Sequence, residues 1–248
     1  MPIQLEICAN SIESVKAAVS GGASRIELCS GLSEGGLTPS QGLIREALRI
    51  CPVPCHVLIR PRGGDFLYNS DELAVMLDDI RLCHTLGVQG VVVGALTPDG
   101  SIDKPLLRQM VQAAGGMSVT FHRAFDLCRD PLCALEDIIS AGCSRLLTSG
   151  CSASALSGVA LLRDLVTAAG ARFSIMAGCG ITPSNVKAVV QQSGVREVHA
   201  SAKAALVSRM QFARHDVAMG HTAADAYTSY ETSAAIVRRL ADALCSTD

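Results

Sequence analysis

Polar side chains alternate with apolar ones along several short segments that are spaced like β-strands. The stretch TFHRAFD carries His122, Arg123 and Asp126 at and just beyond the end of one such segment. A parallel-sheet strand is covered on both faces and normally reads as an apolar run. Polar groups placed there cost free energy unless a partner or a ligand satisfies them. The spacing therefore predicts that His122 points into a site, with Arg123 at the rim and Asp126 on the following loop.

The same alternation places ionisable side chains on one face of five strand-like segments, because side chains two residues apart share a face. Carboxylates and imidazoles can act as general acids and bases, and arginine binds anions. The candidate pocket residues are Glu6, Glu27, Arg60, Arg62, His122, Asp126, Glu197 and His199. We expect Glu6, Glu27, Arg60, His122 and His199 to line one cavity. The alternative is an internal ion-pair network that fixes the register of the strands.

Eight strand-like segments in the sequence position these residues. Each of them is followed by a segment of helical spacing. Asp130-Pro131 and Thr182-Pro183 place a capping side chain before a proline, and Asn69 with Glu72 has the spacing of a capping box. This pattern predicts an α/β fold, a (β/α)₈ TIM barrel with a C-terminal extension. The chain reads as a single domain, 1–248, with the barrel at about 1–204 and the extension at about 205–248. The strand-like segments are IQLEIC, SRIELC, VPCHVLIR, GVVVGAL, SVTFHR, SRLLTS, FSIMAG and REVHAS.

A glycine-rich turn, MAGCGITPSN, follows the seventh strand-like segment. Barrel phosphate sites often use the loops after strands seven and eight, where backbone N–H groups hold an anion. Gly178, Gly180 and Ser201 are therefore the candidate anion-binding residues. The alternative is a tight turn followed by an ordinary helix cap.

The composition of the chain argues against nucleic acids and membranes as binding partners. The net charge of −2 argues against a general nucleic-acid binder, which carries a basic patch, and aromatic residues are only 3% of the chain. We find no apolar run of about 18 residues, so no membrane partner is expected. The N-terminus lacks the pattern of a signal peptide, which favours the cytoplasm. In that compartment the eleven cysteines are expected to be thiols rather than a disulfide framework.

Two cysteines occupy equivalent positions at the ends of adjacent strand-like segments. Cys8 ends the first segment and Cys29 ends the second. Two neighbouring thiolates are suitable ligands for a soft ion such as Cu(I). Small buried cysteines are also common core residues.

Several long motifs together resemble the CutC family, whose members are called copper homeostasis proteins. They are RIELCSGLSEGGLTPS, IRPRGGDFLYNSDE, TFHRAFD, LTSG, EVHAS, GVVVGAL and a later VAMG. The resemblance implies a (β/α)₈ barrel, a cytoplasmic location and a homo-oligomer, a dimer or a tetramer. It also implies a link to copper, with Cu(I) at the positions of Cys8 and Cys29, and it brings no established reaction.

Two functional hypotheses follow. The first is a copper homeostasis protein that binds Cu(I) through cysteine thiolates. The alternative is an enzyme that acts on a small polar or anionic metabolite, such as a sugar or a phosphorylated compound, by acid–base chemistry in the Glu/Arg/His pocket. A barrel with a purely structural or partner-binding role is a third reading. The sequence indicates no organic cofactor.

Overall fold

A closed barrel of eight parallel strands forms the centre of the molecule. The computed structural model describes residues 2–214, 216–217 and 227–245, so most of the VAMG motif lies outside the described residues. Each strand pairs with the next, and the eighth pairs with the first. The predicted (β/α)₈ barrel is confirmed. The strands are β1 (Gln4–Ala9), β2 (Arg25–Leu28), β3 (Cys55–Leu58), β4 (Gly90–Val93), β5 (Ser118–Phe121), β6 (Arg145–Thr148), β7 (Ser174–Ala177) and β8 (Glu197–Ala200).

Helices surround the barrel. Among the described residues, none of them is long and apolar enough to cross a membrane. Short 3₁₀ helices lie in loops of the described part of the chain, at Leu32–Glu34, Arg123–Leu127 and Gly170–Arg172. The α-helices are α1 (Ile12–Gly21), α2 (Gln41–Ile50), α3 (Ser70–Thr85), α4 (Lys104–Ala113), α5 (Pro131–Ala141), α6 (Val159–Ala169), α7 (Val186–Ser193) and α8 (Ala234–Cys245).

The part of the chain beyond residue 204 contributes to the outer layer of the barrel. Strands β9 (Lys203–Val207) and β10 (Thr228–Thr232) form a separate antiparallel pair. Helix α8 then packs against α1 and α7, which is the eighth place in the ring of helices. A Cβ atom on Gly21 would lie 2.5 Å from Cβ of Val237, so the close approach of α1 and α8 requires glycine there. The segment predicted as an extension therefore contains the helix that completes the ring.

Local capping signals explain where several helices begin. The capping box of Asn69 and Glu72 is present, and Asp130 caps α5 ahead of its proline, as predicted. The predicted start at Thr182-Pro183 is wrong, because α7 begins at Val186. The backbone N–H of Thr182 donates to Oδ1 of Asn185 at 2.8 Å, which holds these residues in a turn before the helix.

The two faces of the strands pack in different surroundings. Ile7, Ile26 and Val57 belong to the large hydrophobic core, which also contains the buried faces of the helices. The opposite faces of β1 to β4 contribute a second, smaller apolar cluster inside the barrel, formed by Cys8, Cys29, Leu58 and Val92. The alternation in the sequence therefore predicted correctly which side chains point inward.

Candidate functional site

An ion-pair network fills the barrel near the beginnings of its strands. Arg25 donates from Nε to Oε2 of Glu6, and from Nη2 to Oε2 of Glu197 at 2.5 Å. Arg145 donates from Nε to the same Glu197 oxygen at 2.6 Å, and the hydroxyl of Ser174 donates to Oε1. Four of these five residues are the first residues of their strands, so the network forms a layer at the amino-terminal end of the barrel.

The network corrects the expectation for Glu6 and Glu197. The structure places both carboxylates in ion pairs, and the cavity above them is lined by other residues. Burial by itself raises the pKa of Glu6, but the hydrogen bond from His199 and the charge of Arg25 outweigh it, so the pKa is lowered. Arg145 and Arg25 likewise lower the pKa of Glu197 against the effect of its burial. Permanently paired carboxylates fit the ion-pair alternative rather than acid–base catalysis.

A cavity of about 590 Å³ opens at the carboxyl ends of the strands. That volume lies in the range of small-molecule sites, and the position is where barrel enzymes bind their ligands. The structure brings four of the five expected residues to its lining, and Cys8, Gly180 and Ser201 join them. These four are Glu27, Arg60, His122 and His199.

The sulfur atoms of Cys8 and Cys29 lie 3.2 Å apart. Cys29 is completely buried, and Cys8 lines the floor of the cavity. Cys8, Glu27 and His199 each offer one atom that could bind a metal ion, and these three atoms lie within 4.8 Å of one another. The pKa of the Cys8 thiol is raised well above its ordinary value by its contact with Cys29, by burial and by the charge of Glu27. Cys8 is therefore a protonated thiol in the metal-free protein at neutral pH.

Glu27 and His199 form the acid–base part of this cluster. Burial raises the pKa of Glu27, and its Oε2 atom has no hydrogen-bond partner among the described residues. Burial lowers the pKa of His199, but Glu27, Cys8 and Glu6 outweigh it, so the pKa lies well above its ordinary value. Nδ1 of the charged imidazole donates to Oε1 of Glu6 at 2.7 Å. The ion-pair layer therefore holds His199 in place from below.

Arg60 and His122 line the part of the cavity that follows β3 and β5. Arg60 donates to the carbonyl oxygens of Glu34 (2.6 Å), Gly36 (3.1 Å) and Gly64 (2.8 Å). Nδ1 of His122 accepts the backbone N–H of the second residue after it at 3.1 Å, so the ring proton is on Nε2. Burial and the charge of Arg60 lower the pKa of His122 to about 3. His122 is thus a neutral hydrogen-bond donor.

Arg62 and Asp126 stabilise loops instead of lining the cavity. Arg62 pairs with Glu72 at 2.5 Å and with Asp65 at 3.0 Å. Asp126 accepts from the Thr148 hydroxyl at 2.5 Å and from two backbone N–H groups of the loop after β6. Both residues were expected in the pocket, and local partners hold them elsewhere.

Positively charged residues lie at the rim of the cavity, and the sequence predicted Arg123 but not Lys203 or Arg239. Arg123 lies at the rim as predicted, paired with Asp126 at 2.7 Å. Lys203 of β9 and Arg239 of α8 also line the cavity. The helical pattern around Arg239 was visible in the sequence. Only its place as the eighth helix of the ring shows that it reaches the site.

The glycine-rich turn contributes to the cavity in part. Gly180 and Ser201 lie in the lining. Gly178 does not, and its backbone N–H donates to the carbonyl of Thr148 at 3.0 Å. A Cβ atom at this position would lie 2.5 Å from Cδ1 of Leu147, so Gly178 serves packing. The backbone N–H groups of residues 178 and 182 are thus both used within the protein.

Comparison with known proteins agrees with these observations. The model of the CutC family matches residues 3–204. The chain belongs to the CutC family. It is 50% identical to a CutC family protein from Chromobacterium violaceum over 240 residues, 97% of either chain. It is 49% identical to one from Bacteroides thetaiotaomicron over 220 residues, 88% of either chain. Sequence identity to these relatives therefore supports the family assignment independently of the shared barrel fold.

A solved structure of the same family supports the architecture. The CutC protein of Streptococcus agalactiae, for which a role in copper homeostasis has been suggested, is 34% identical. It superimposes with a TM-score of 0.77 and covers 80% of this chain and 98% of its own. The family assignment therefore accompanies a shared three-dimensional fold.

Proposed function

We propose that this CutC family protein takes part in copper homeostasis by binding Cu(I) through the thiolates of Cys8 and Cys29. The observation that carries the proposal is the 3.2 Å separation of the two sulfur atoms at the floor of an open cavity. Thiolates are the protein ligands that select Cu(I). His199 lies close enough to Cys8 to serve as a further ligand once its other ring nitrogen has lost its proton.

The surroundings of Cys8 and Cys29 favour a thiolate that binds a metal cation over a thiolate without a counter-charge. The same neighbours that raise the pKa of Cys8, namely Cys29, burial and Glu27, disfavour an uncompensated negative charge on sulfur. A bound cation would replace the thiol proton and remove that cost. Metal binding would then release protons, and its affinity would increase with pH.

The test is a Cu(I) titration of the reduced protein against a competing chelator, without oxygen. We expect one Cu(I) per chain in the wild type and loss of that site in the double variant Cys8→Ser, Cys29→Ser. The matched control is the double variant Cys133→Ser, Cys245→Ser, since both of these thiols are exposed and distant in sequence from the pair. Equal stoichiometry and affinity in the two double variants would contradict the proposal.

We also propose that the protein works in the reducing cytoplasm as a homo-oligomer, a dimer or a tetramer. All eleven cysteines, which lie in the described part of the chain, are free thiols, and a reducing compartment would keep them so. Exposed apolar residues on the β9–β10 pair and just after β9, among them Val207 and Phe212, support association. Light scattering during size-exclusion chromatography tests the mass, and a monomer at micromolar concentration would contradict it.

A second candidate function is acid–base catalysis on a small metabolite. One observation favours it: Glu27, with a raised pKa and an oxygen that has no partner among the described residues, lies beside the charged imidazole of His199. A carboxyl group and an imidazolium with displaced pKa values are typical of catalytic sites. A Cu(I) site made of two thiolates does not require them.

A metabolite screen on metal-free protein, followed by Glu27→Gln, tests this candidate. The variant keeps the shape of the side chain and removes proton transfer. We expect ligand binding to persist while turnover falls by about 10²–10⁴-fold. Unchanged turnover would exclude Glu27 as the catalytic group, and a screen that finds no converted compound would leave Cu(I) binding as the better account.

A further inference from the structure

We propose that Arg60 and Nε2 of His122 bind the oxyanion group of a small organic ligand, either a carboxylate or a phosphate. This site is separate from the cysteine pair. The proposal specifies the class of ligand for the acid–base function proposed above. It rests on that function only because both would use the same cavity.

Arg60 is a buried cation without an ionic partner. Only 6% of the residue is exposed, and within the described part of the chain its guanidinium group forms no ion pair with a carboxylate. Its hydrogen bonds go to three backbone carbonyl groups, which carry no net charge. Its Nε atom has no hydrogen-bond partner in the described part of the protein. Since buried charges are normally paired, an anion at the cavity face of Arg60 would supply the missing charge.

His122 supplies a second donor. It is also 6% exposed, and its Nε2 atom is without a partner among the residues described. The backbone hydrogen bond to Nδ1 fixes the tautomer that carries the proton on Nε2. A neutral imidazole that donates a hydrogen bond can bind an oxyanion without taking part in proton transfer.

Phe66 holds the two donors on one side of the cavity. The guanidinium carbon of Arg60 lies 4.9 Å from the centre of the Phe66 ring, and the imidazole of His122 lies 5.0 Å from it. Both residues therefore flank one aromatic ring that itself lines the cavity. The ring fixes their positions, and it offers an apolar surface to the carbon skeleton of a ligand.

The charge of the whole cavity favours an anion. Within the described part of the chain, the charged residues of its lining other than histidine are four arginine or lysine residues and one glutamate. Arg123 is balanced by Asp126, whereas Arg60 is not balanced. The positive residues are Arg60, Arg123, Lys203 and Arg239. Such an excess attracts and retains anionic ligands.

The topology places the anion site on different strands from the Cys8, Glu27 and His199 cluster, with β3 next to β2. That cluster lies on β8, β1 and β2, whereas Arg60 follows β3 and His122 follows β5. A ligand held by its anionic group at Arg60 would therefore share the cavity of about 590 Å³ with Glu27, which lies on the neighbouring strand. Binding and proton transfer would use different groups of the same ligand.

The experiment is calorimetric titration of the metal-free wild type with inorganic phosphate and, separately, with acetate. Sodium chloride at matched ionic strength controls for screening. We expect saturable binding of at least one of the two anions at one site per chain, and the preferred one identifies the headgroup. Absence of saturable binding of both anions at millimolar concentrations would overturn the proposal, whatever the outcome for Cu(I) or for turnover.

Two variants and one control locate the site. Arg60→Met should weaken binding at least tenfold, whereas Arg62→Met should leave it unchanged, because Arg62 is paired with Glu72 and Asp65. Arg60→Met also removes three hydrogen bonds to loop carbonyls and could unfold the loops. His122→Asn provides the second variant, since asparagine can keep the bond to the following backbone N–H but lacks Nε2. Unchanged affinity in His122→Asn, or equal loss in Arg62→Met, would contradict the assignment.

Discussion

Nδ1 of His199 lies 2.7 Å from Oε1 of Glu6, and this hydrogen bond connects the cavity to the ion-pair layer beneath it. Glu6 is completely buried and also accepts from Arg25. A chain of charged groups therefore runs from the beginnings of the strands to the floor of the cavity. The charge state of His199, and with it the properties of Cys8 and Glu27, depends on residues outside the cavity lining.

The first prediction concerns stability at alkaline pH. The folded protein raises the pKa of His199 above its ordinary 6.5, so the folded state holds this proton more tightly than the unfolded state. Its stabilising contribution is complete below pH 6.5 and is lost as the pH rises through the folded-state pKa. Denaturant titrations across this range should show a fall in the free energy of unfolding that is absent in His199→Gln. The same slope in both proteins would contradict the assignment.

The second prediction concerns the ion-pair layer. Replacing Arg25 with methionine leaves Glu6 and Glu197 without their shared partner, and the loss of a buried partner costs about 3–5 kcal/mol. The free energy of unfolding, measured by denaturant titration, should fall by that amount. The matched control is Arg172→Met, because the pair of Arg172 with Glu136 is exposed and its loss should change stability little. A similar effect of the two substitutions would show that the layer is not structurally important.

The third prediction uses the packing beneath His199. A Cβ atom on Gly178 would lie 2.5 Å from Cδ1 of Leu147 and 3.3 Å from Cβ of His199. Gly178→Ala should destabilise the protein by about 1–3 kcal/mol through overpacking and should displace His199, weakening ligand binding. Gly42→Ala in α2 is the control, since the nearest atom to its added Cβ is 3.9 Å away. Thermal unfolding and the binding assays above report both effects, and normal stability in Gly178→Ala would argue against this packing role.

The fourth prediction concerns acid. Burial lowers the pKa of His122 to about 3 and that of His56 to about 4, from an ordinary 6.5. The unfolded chain therefore binds more protons, so the stability due to these neutral rings is present above pH 6.5 and is lost as the pH falls towards the folded-state values. Each unit of displacement corresponds to about 1.4 kcal/mol.

The measurement is the free energy of unfolding between neutral pH and pH 4, for the wild type and for His122→Asn. The wild type should lose stability more steeply, because the variant lacks one of the two buried rings. Identical profiles would show that His122 is accessible to protons in the folded state.

The sequence by itself determined the order of the strands and helices and the direction in which each strand side chain points. Those properties depend on contacts between near neighbours, such as the capping box of Asn69 and Glu72, and on the two-residue period of a strand. The inward orientation of Cys8, Glu27, Arg60 and His122 followed from that period alone.

Only the tertiary structure decided which inward-facing charge meets which partner. Arg145 and Glu197 are 52 residues apart in sequence, and their pairing depends on how the closed barrel sets the height of each strand. Glu6 therefore lies in the ion-pair layer, whereas Glu27, whose face of the sheet it shares, reaches the cavity. Alternation gives the side of the sheet but not the depth within the barrel, because depth is fixed by the register between neighbouring strands.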